Sequence, residues 1–433
     1  MGNAVNPPWF QLVTANEPLL VMALAPALLF PTPSRMLVLV AVPLLWSCGR
    51  RSSGHYIPLT PMNGALAVLA LMVGVSMFVT FDIVFSLGKI AGVILGLLLY
   101  WSIARWLTTA KRLKIAVALF VLAGAGLAII GFFGMPMPTS NVYKYPALGN
   151  IARQFPNVLG GLPGAEDGFN PNPVSGSLVL FVPLQVALLA TGASRWLLPT
   201  PKRRWPAVLL TMLQLCLLAL TSGTVILMQS RGAWTAVVVA AGAFLLWYRW
   251  WSRAAVAVAT IGLLAFAISR GPTDWRQLAA QVGGTELAGS ATARAGLWAR
   301  AISVIGESPV TGIGMHTFRR TLPIPPGRSD PNAVHAHNHL LQAALDVGVP
   351  GLVAYLATWL LAFALLAIVY RRSHHSVERG VAGGLGAGLI AYFTFGIADA
   401  IPLGAKVGAL YWLTLALCVG LHRIAISPPS TNA

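Results

Sequence analysis

The sequence carries little charge and very few acidic residues. Only 9% of its 433 residues are charged, against about 25% in an average soluble domain. Just 11 residues are acidic, whereas 29 are lysine or arginine, so the formal net charge is +18. Hydrophobic residues make up 57% of the chain. This balance excludes an ordinary soluble fold and indicates a membrane protein with many spans, and the apolar runs do not alternate as barrel strands would.

The sequence also lacks the patterns that indicate metal centres, disulfide frameworks or nucleotide sites. Its three cysteines fall in or beside apolar runs, at no ligand spacing. No Asp-x-Asp pair, His-Glu-x-x-His motif, P-loop or Gly-x-Ser-x-Gly motif occurs. We therefore do not expect catalysis by a carboxylate-held divalent cation. Because no recognition motif accompanies the positive charge, we expect no nucleic-acid partner and attribute the charge to topology and anionic lipid.

Apolar runs of spanning or near-spanning length recur along the chain and predict an all-α polytopic membrane protein with about twelve transmembrane helices. Basic residues concentrate in alternate short loops, and the positive-inside rule places both termini in the cytoplasm. The first two runs are short and contain proline, so this pair could also be a re-entrant hairpin. The predicted spans are 18–33, 35–49, 61–80, 84–107, 114–134, 176–193, 206–228, 233–249, 253–270, 347–370, 380–400 and 405–424.

Two long polar segments are then expected on the outer side, at about 135–175 and 271–346. The second is the longer, and the spacing of its apolar residues predicts that it is partly helical and that a helix restarts through His339. The chain thus divides into a first part of the bundle (1–270), a large outer loop (271–346) and a last part of the bundle (347–433). Outer loops of this length usually carry function.

Half of the eight histidines lie in the second outer segment, namely His316, His335, His337 and His339. Histidine is suited to accept the proton of an attacking hydroxyl near neutral pH. Two alternatives stay open: a metal site, although no nearby carboxylate is well placed as a further ligand, and a polar helix start with solvated histidines. Asp399, near the outer end of a later span, could orient a histidine or pair with an arginine.

Four cations are candidates for binding an anionic substrate at the outer edge of the membrane. Lys89 lies inside a predicted span near its outer end, and a charge inside a span suggests function because its burial is costly. Arg231 lies at the junction of two spans, and Arg294 and Arg300 lie in the large outer loop. Arginine suits phosphate because its planar fork donates two hydrogen bonds. The alternatives are snorkelling for Lys89, an interface anchor for Arg231 and solvated helix residues for the other two.

Several motifs in this order resemble those of bacterial O-antigen ligases and the related O-antigen polymerases. Each motif is loose, but their order and the topology are together fairly specific. They cover roughly 230–352, and the acidic residue after the His-Asn motif, glutamate in a common form of the family, is Asp346 here. The motifs are Ser230-Arg231-Gly232-Ala233-Trp234, Arg294-x-x-x-Trp298, Pro309-Val310-Thr311-Gly312-Ile313-Gly314, His335-x-His337-Asn338-x-x-Leu341, and Gly348 with Gly351.

The resemblance implies a GT-C-like glycosyltransferase in the bacterial inner membrane, with its active site on the periplasmic side. Such ligases transfer a finished polysaccharide from undecaprenyl diphosphate to lipid A–core oligosaccharide, by inverting transfer without a metal or other cofactor. By the same resemblance, His337 is the base and Asn338 its partner in the motif.

The resemblance also suggests roles for the remaining candidates. The cations that hold the diphosphate would be Arg231, Lys89 and Arg294 or Arg300, while His335, His339 and Asp399 would support the site. The close alternatives are an O-antigen polymerase and a protein O-oligosaccharyltransferase, which differ in their acceptors. A transporter of lipid-linked glycan would use the same cations but would not need a base.

Overall fold

A computed structural model describes residues 8–134, 146–152, 154–155, 158–159, 169–192, 205–248, 294–321 and 335–426. Over these residues the chain forms helices joined by loops, and none of them is in a β-strand. The all-α, multi-pass expectation is therefore confirmed for the described part of the chain. The predicted span 253–270 lies outside the described residues.

The N-terminal half contains nine α-helices and one short 3₁₀ helix in its described parts. A 3₁₀ helix at Arg35–Val40 stands where the second span was expected to begin, so that run is not one continuous α-helix. The α-helices are α1 (Pro8–Ala15), α2 (Glu17–Leu29), α3 (Ala41–Ser53), α4 (Asn63–Val79), α5 (Ile83–Trp106), α6 (Ala110–Gly134), α7 (Pro146–Ala152), α8 (Pro171–Leu178) and α9 (Phe181–Ala190).

The C-terminal half supplies the helices that hold the candidate site. A further 3₁₀ turn at Lys406–Gly408 precedes the last helix. The α-helices are α10 (Trp205–Leu227), α11 (Arg231–Tyr248), α12 (294–307), α13 (Phe318–Thr321), α14 (His339–Arg372), α15 (Ser376–Ala398) and α16 (Ala409–Ile426).

Among the described residues, seven helical segments are long and apolar enough to cross a membrane. Three shorter apolar helices, Glu17–Leu29, Asn63–Val79 and Arg231–Leu246, fall on further predicted spans. Twelve spans therefore remain a prediction. The seven segments are Ile83–Trp106, Ala110–Gly134, Pro171–Ala190, Trp205–Leu227, His339–Arg372, Ser376–Ile397 and Lys406–Ile426.

Helix α14 connects the bundle to the candidate site. It packs against α4, α15 and α16 through a large buried cluster in which Tyr355 and Trp359 are almost fully enclosed. Its first residue is His339, so it begins eight residues before the span predicted at 347–370. The residues just before and after this helix start are thus fixed by the packed bundle.

Helix α14 is kinked at Gly348, whose φ of 70° and ψ of 175° lie outside the helical region. The kink separates two groups that an unbroken helix would pair, the carbonyl of Leu345 and the N–H of Val349. A segment of residues 309–314, which we name the strap, satisfies both. The N–H of Ile313 donates to Leu345 O at 2.8 Å, and Val349 N–H donates to Pro309 O at 2.7 Å.

Replacing Gly348 with alanine is expected to destabilise the protein by about 2 kcal/mol or more, because its backbone conformation is essentially restricted to glycine. A Cβ at this position would also overlap the carbonyl of Val310 in the strap. The thermal unfolding midpoint in detergent measures the loss. Gly126→Ala in α6 is the matched control, since a Cβ there meets open space. Equal midpoints for the two variants would contradict the role assigned to the kink.

Candidate active site

The candidate site lies where α14 begins and α15 ends. Asn338 caps α14: its Oδ1 accepts hydrogen bonds from the N–H groups of Leu340 (2.9 Å) and Leu341 (3.1 Å). Its Nδ2 donates to the carbonyl of Ile397 at 3.2 Å, near the end of α15. One side chain therefore caps the N-terminus of α14, a position at which asparagine is preferred, and also links α14 to α15.

His337 precedes the cap in a left-handed backbone conformation, with φ of 49°. Its N–H donates to His335 Nδ1 at 3.2 Å, and the two rings lie 4.3 Å apart between centroids. Left-handed φ values are uncommon outside glycine, and they concentrate at functional sites. The conformation turns the His337 ring toward the end of α15.

Asp399, the residue directly after α15, accepts a hydrogen bond from His337. The distance from His337 Nδ1 to Asp399 Oδ1 is 2.9 Å, and the same oxygen accepts from the N–H of Ala400 at 2.9 Å. A carboxylate only accepts, so His337 carries its proton on Nδ1 and leaves Nε2 free to accept another. The side chain of His337 is 28% exposed and that of Asp399 only 8%, so the ring can meet a substrate while the carboxylate is shielded.

The two polar neighbours of His337 have shifted pKa values. Burial alone would raise the pKa of Asp399, but the hydrogen bond and charge of His337, the charge of His335 and the Ala400 N–H together hold it below its ordinary value. Burial, followed by the repulsion of His337, lowers the pKa of His335 to about 4, although the charge of Asp399 acts in the opposite direction. Near neutral pH, Asp399 is therefore charged and His335 neutral.

A buried polar network holds the turn that carries the histidines. Gln342 Oε1 accepts from the N–H of Ala336 at 2.8 Å, and Gln342 Nε2 donates to Asp346 Oδ1 at 2.8 Å. Asp346 Oδ1 also accepts from the N–H of His316 at 3.3 Å. On the other side, Trp298 Nε1 of α12 donates to the carbonyl of Ala336 at 3.1 Å. The turn is thus fixed from α14 and from α12 at once.

His339 is part of the packed interior. Its side chain is buried, its Nδ1 lies 3.0 Å from Tyr355 Oη, and its ring packs against Trp359 and Phe393. A Cβ on Gly396 would meet the same ring at 2.7 Å. His339 therefore contributes to how α14 and α15 pack, whereas His335 and His337 face Asp399.

The sequence-based expectation that no carboxylate is well placed beside the histidines was wrong. Asp399 follows His337 by 62 residues, yet the ligand atoms of His335, His337 and Asp399 all lie within 4.8 Å of one another. Such a set of two imidazoles and one carboxylate could hold a cation such as Zn²⁺. In the described geometry, however, His337 Nδ1 is engaged with Asp399 and His335 Nδ1 accepts from the His337 N–H. Of the other two ring nitrogens, His335 Nε2 lies 3.9 Å from Asp399 Oδ1, and His337 Nε2 makes no hydrogen bond to His335 or Asp399.

The cations predicted for substrate binding are carried by three helices, α5, α11 and α12. Lys89 on α5 is close enough to His335 and Asp346 to interact with them electrostatically. Arg231 is the first residue of α11, and the next residue, Gly232, faces Phe395 one turn before Asp399. Within the described residues, no hydrogen bond or ion pair joins Arg231 to the histidines.

Arg294 and Arg300 lie on α12, the helix that bonds to the histidine turn through Trp298. Both are partly buried, and Arg300 Nε is enclosed with no hydrogen-bond partner among the described residues. Within the described ranges, neither arginine forms a hydrogen bond or ion pair with His337 or Asp399. The fold thus places the two arginines beside the site without engaging them in it.

Three contributions were missed by sequence reasoning. Gln342 and the strap have roles that depend on contacts between distant segments, and the His316 ring stacks on Phe85 with centroids 4.4 Å apart. Gly312, in the strap, was identified only as part of a motif, and its close contact with α14 was not predicted: a Cβ on it would overlap Leu345 O. The signal that could have indicated this contact is the pair of glycines at 312 and 348.

A comparison with known proteins and protein families finds a match in the part of the chain that carries the histidine turn. No curated protein matches the sequence. A family model described as O-antigen ligase matches residues 216–356, a segment that contains Arg231, α12, the histidine turn and Asp346, but neither Lys89 nor Asp399. This segment is therefore similar to the O-antigen ligase family.

Proposed function

We propose that the protein is an O-antigen ligase of the bacterial inner membrane. It transfers polysaccharide from undecaprenyl diphosphate to lipid A–core oligosaccharide, at an active site on the periplasmic side. The family covers such ligases and related polymerases, and the apolar helices fit a multi-pass membrane enzyme. The observation that carries the proposal is the 2.9 Å contact between His337 Nδ1 and Asp399.

That contact gives His337 the form a general base needs. The Nδ1 proton is committed to Asp399, so Nε2 can take the proton of the acceptor hydroxyl. The hydroxyl oxygen then attacks the anomeric carbon of the donor, and the bond between that carbon and the phosphate oxygen breaks. The electron pair leaves with the lipid diphosphate. Direct displacement inverts the anomeric configuration and forms no covalent glycosyl enzyme.

The diphosphate that leaves carries negative charge, which must be balanced. Lys89, Arg231, Arg294 and Arg300 supply positive charge around the histidine turn, and fixed cations at a developing anion are a large source of rate enhancement. In this proposal they replace the metal ion that many phosphate-using enzymes employ. His335 and Asn338 support the base: the first accepts the His337 N–H, and the second fixes the start of α14.

The acceptor distinguishes the related activities. Purified protein in nanodiscs is incubated with labelled undecaprenyl-diphosphate glycan and, in separate reactions, with lipid A–core, with a second lipid-linked glycan or with an acceptor protein. We expect label on lipid A–core. Label on the second lipid-linked glycan would instead establish a polymerase, and label on protein an O-oligosaccharyltransferase. Movement of the donor across a bilayer without any transfer would establish a transporter.

The same assay tests whether a metal takes part. Because His335, His337 and Asp399 lie together, transfer is repeated with excess chelator and then with Zn²⁺ or Mg²⁺ restored. We expect the transfer rate to be unchanged by the chelator. A loss that either cation restores would overturn the metal-independent mechanism and assign these three residues as ligands.

A further inference from the structure

An apolar cavity of about 380 Å³ lies between α11, α14 and α15. It is at the end of α14 and α15 opposite the candidate active site, because Tyr370 and Ala382 line it. None of its described lining residues is charged, and the rings of Phe244 and Phe363 form part of its wall. Its volume falls within the range of ligand pockets, about 300–1,000 Å³.

The cavity continues along α14 and α15 into a second cavity of about 440 Å³. Phe363 and Ile390 line both, so the two adjoin as one groove that runs along α14 from Tyr370 to Leu356. At 1.5 Å per residue, this stretch of helix is about 21 Å long. One leaflet of a bilayer holds about 15 Å of hydrocarbon, so the groove is long enough for an extended acyl chain.

The groove is open at its side, and the packing of the helices leaves it unfilled. Ala364 on its wall is exposed, and Gly386 is half-buried. Among the described residues, the nearest atom that a Cβ on Gly386 would meet belongs to Leu366, at an ordinary 3.8 Å. Space for a longer apolar group therefore remains beside α15.

Two arginines continue the walls of the groove at the end where Tyr370 lies. Arg371 follows Ala367 by four residues on α14, and Arg379 precedes Ala382 by three residues on α15. Residues at these spacings share a helix face, so each arginine lies on a face that lines the groove. Both are exposed, and within the described parts of the chain neither side chain forms a hydrogen bond or an ion pair.

The third arginine at this end belongs to a different face. Arg372 is close enough to His422 of α16 to interact with it electrostatically. The positive-inside rule accounts for basic residues at this end of the bundle, but it does not account for two of them aligned with an apolar groove. A ligand with an anionic head and an apolar chain complements this pair of cations and the groove between them.

We propose that the groove binds an acidic phospholipid, with one acyl chain between α14 and α15 and the phosphate at Arg371 and Arg379. The positive-inside rule assigns this side to the cytoplasm, and acidic headgroups attract basic residues at such a membrane surface. The bound lipid stabilises the pairing of two helices whose far ends carry Asn338 and Asp399. This role does not depend on which glycan or acceptor the protein uses.

Lipid binding is measured without any transfer reaction. Full-length protein in detergent is titrated with phosphatidylglycerol, and native mass spectrometry gives the fraction of protein that retains one lipid. We expect Arg371→Gln and Arg379→Gln each to weaken binding about tenfold, because a charge-assisted hydrogen bond is lost. Arg372→Gln removes the same charge from the adjacent position, and this matched control should bind like wild type.

A further variant tests the groove itself. Gly386→Leu adds a side chain that extends into the cavity, whereas Gly126→Leu adds one on α6, where a Cβ meets open space. We expect Gly386→Leu to lose phosphatidylglycerol retention while its thermal unfolding midpoint in lipid-free detergent stays that of wild type. Gly126→Leu should retain the lipid. Undiminished retention in a folded Gly386→Leu variant would refute the placement of the acyl chain.

Other occupants of the groove give different results. Equal retention of phosphatidylcholine would overturn the proposal, since the arginines would then select no charge. Preferential retention of a polyprenyl phosphate would assign the groove to an isoprenoid tail instead. Equal losses in Arg371→Gln and Arg372→Gln would reduce the effect to the general attraction of a basic surface. Failure of the wild-type protein to retain any phospholipid would refute the site.

Discussion

Replacing His337 with asparagine is expected to lower the rate of glycan transfer by about 10²- to 10⁴-fold, the contribution typical of a general base. Asparagine tolerates the left-handed backbone that His337 adopts, so the turn keeps its shape. Its amide cannot take a proton near neutral pH, and this leaves the acceptor hydroxyl without a base. Steady-state transfer to lipid A–core measures the change, and donor binding should stay within a few-fold of wild type.

The control for this variant is His374→Asn. His374 is exposed between α14 and α15 at the end opposite the candidate site, so its replacement should leave the transfer rate unchanged. If the His337 variant transferred glycan at the wild-type rate, His337 would not be the base. In that case the contact with Asp399 would be a structural link between α14 and α15.

The Asp399→Asn variant is expected to lose transfer by a similar factor, although it removes no group that touches the substrate. An amide can donate to His337 Nδ1 where the carboxylate could only accept, which favours the ring form protonated on Nε2. That form presents a donor to the acceptor hydroxyl and cannot remove its proton. In serine proteases, the equivalent exchange costs about 10⁴-fold at neutral pH, because the histidine is held in the wrong form.

The thermal unfolding midpoint, measured beside the pH profile, distinguishes this effect from simple unfolding. The pKa of Asp399 lies below its ordinary value, so in wild type this carboxylate stays charged throughout the neutral range. Asp399→Asn should therefore reduce the rate at every pH between about 6 and 8, with an unchanged thermal unfolding midpoint. Glu378→Gln serves as the control carboxylate, since Glu378 accepts from Ser373 at the other end of α15. A variant that kept wild-type transfer would show that Asp399 does not orient the base.

Some of this architecture could be predicted from the sequence. The helix restart at His339 followed from polar residues directly before an apolar run, and Asn338 is a residue type that caps helices. A role for Asp399 in orienting a histidine was one of two alternatives, and the structure pairs it with His337. These features depend on short segments, in which residue type and spacing carry most of the information.

The rest depends on contacts between segments far apart in the chain. Nothing local to Gln342 indicates that its amide joins Ala336 to Asp346, because any polar residue is acceptable in the first turn of a helix. The strap and the kink contact each other through backbone groups. In the sequence, only the glycines at 312 and 348 indicate this contact. Likewise, length and hydropathy alone could not show that the run at 35–49 begins as a 3₁₀ helix.

The direction in which α14 runs has a consequence for the base. Its N-terminus, capped by Asn338, ends at the histidine turn, and the aligned peptide dipoles give that end a partial positive charge of about half a unit. A proton accepted by His337 adds a full positive charge beside it, which the dipole opposes. The departing diphosphate, in contrast, would be favoured by the same field. In the proposed mechanism, the carboxylate of Asp399 would counter the field of α14 when the imidazole becomes charged.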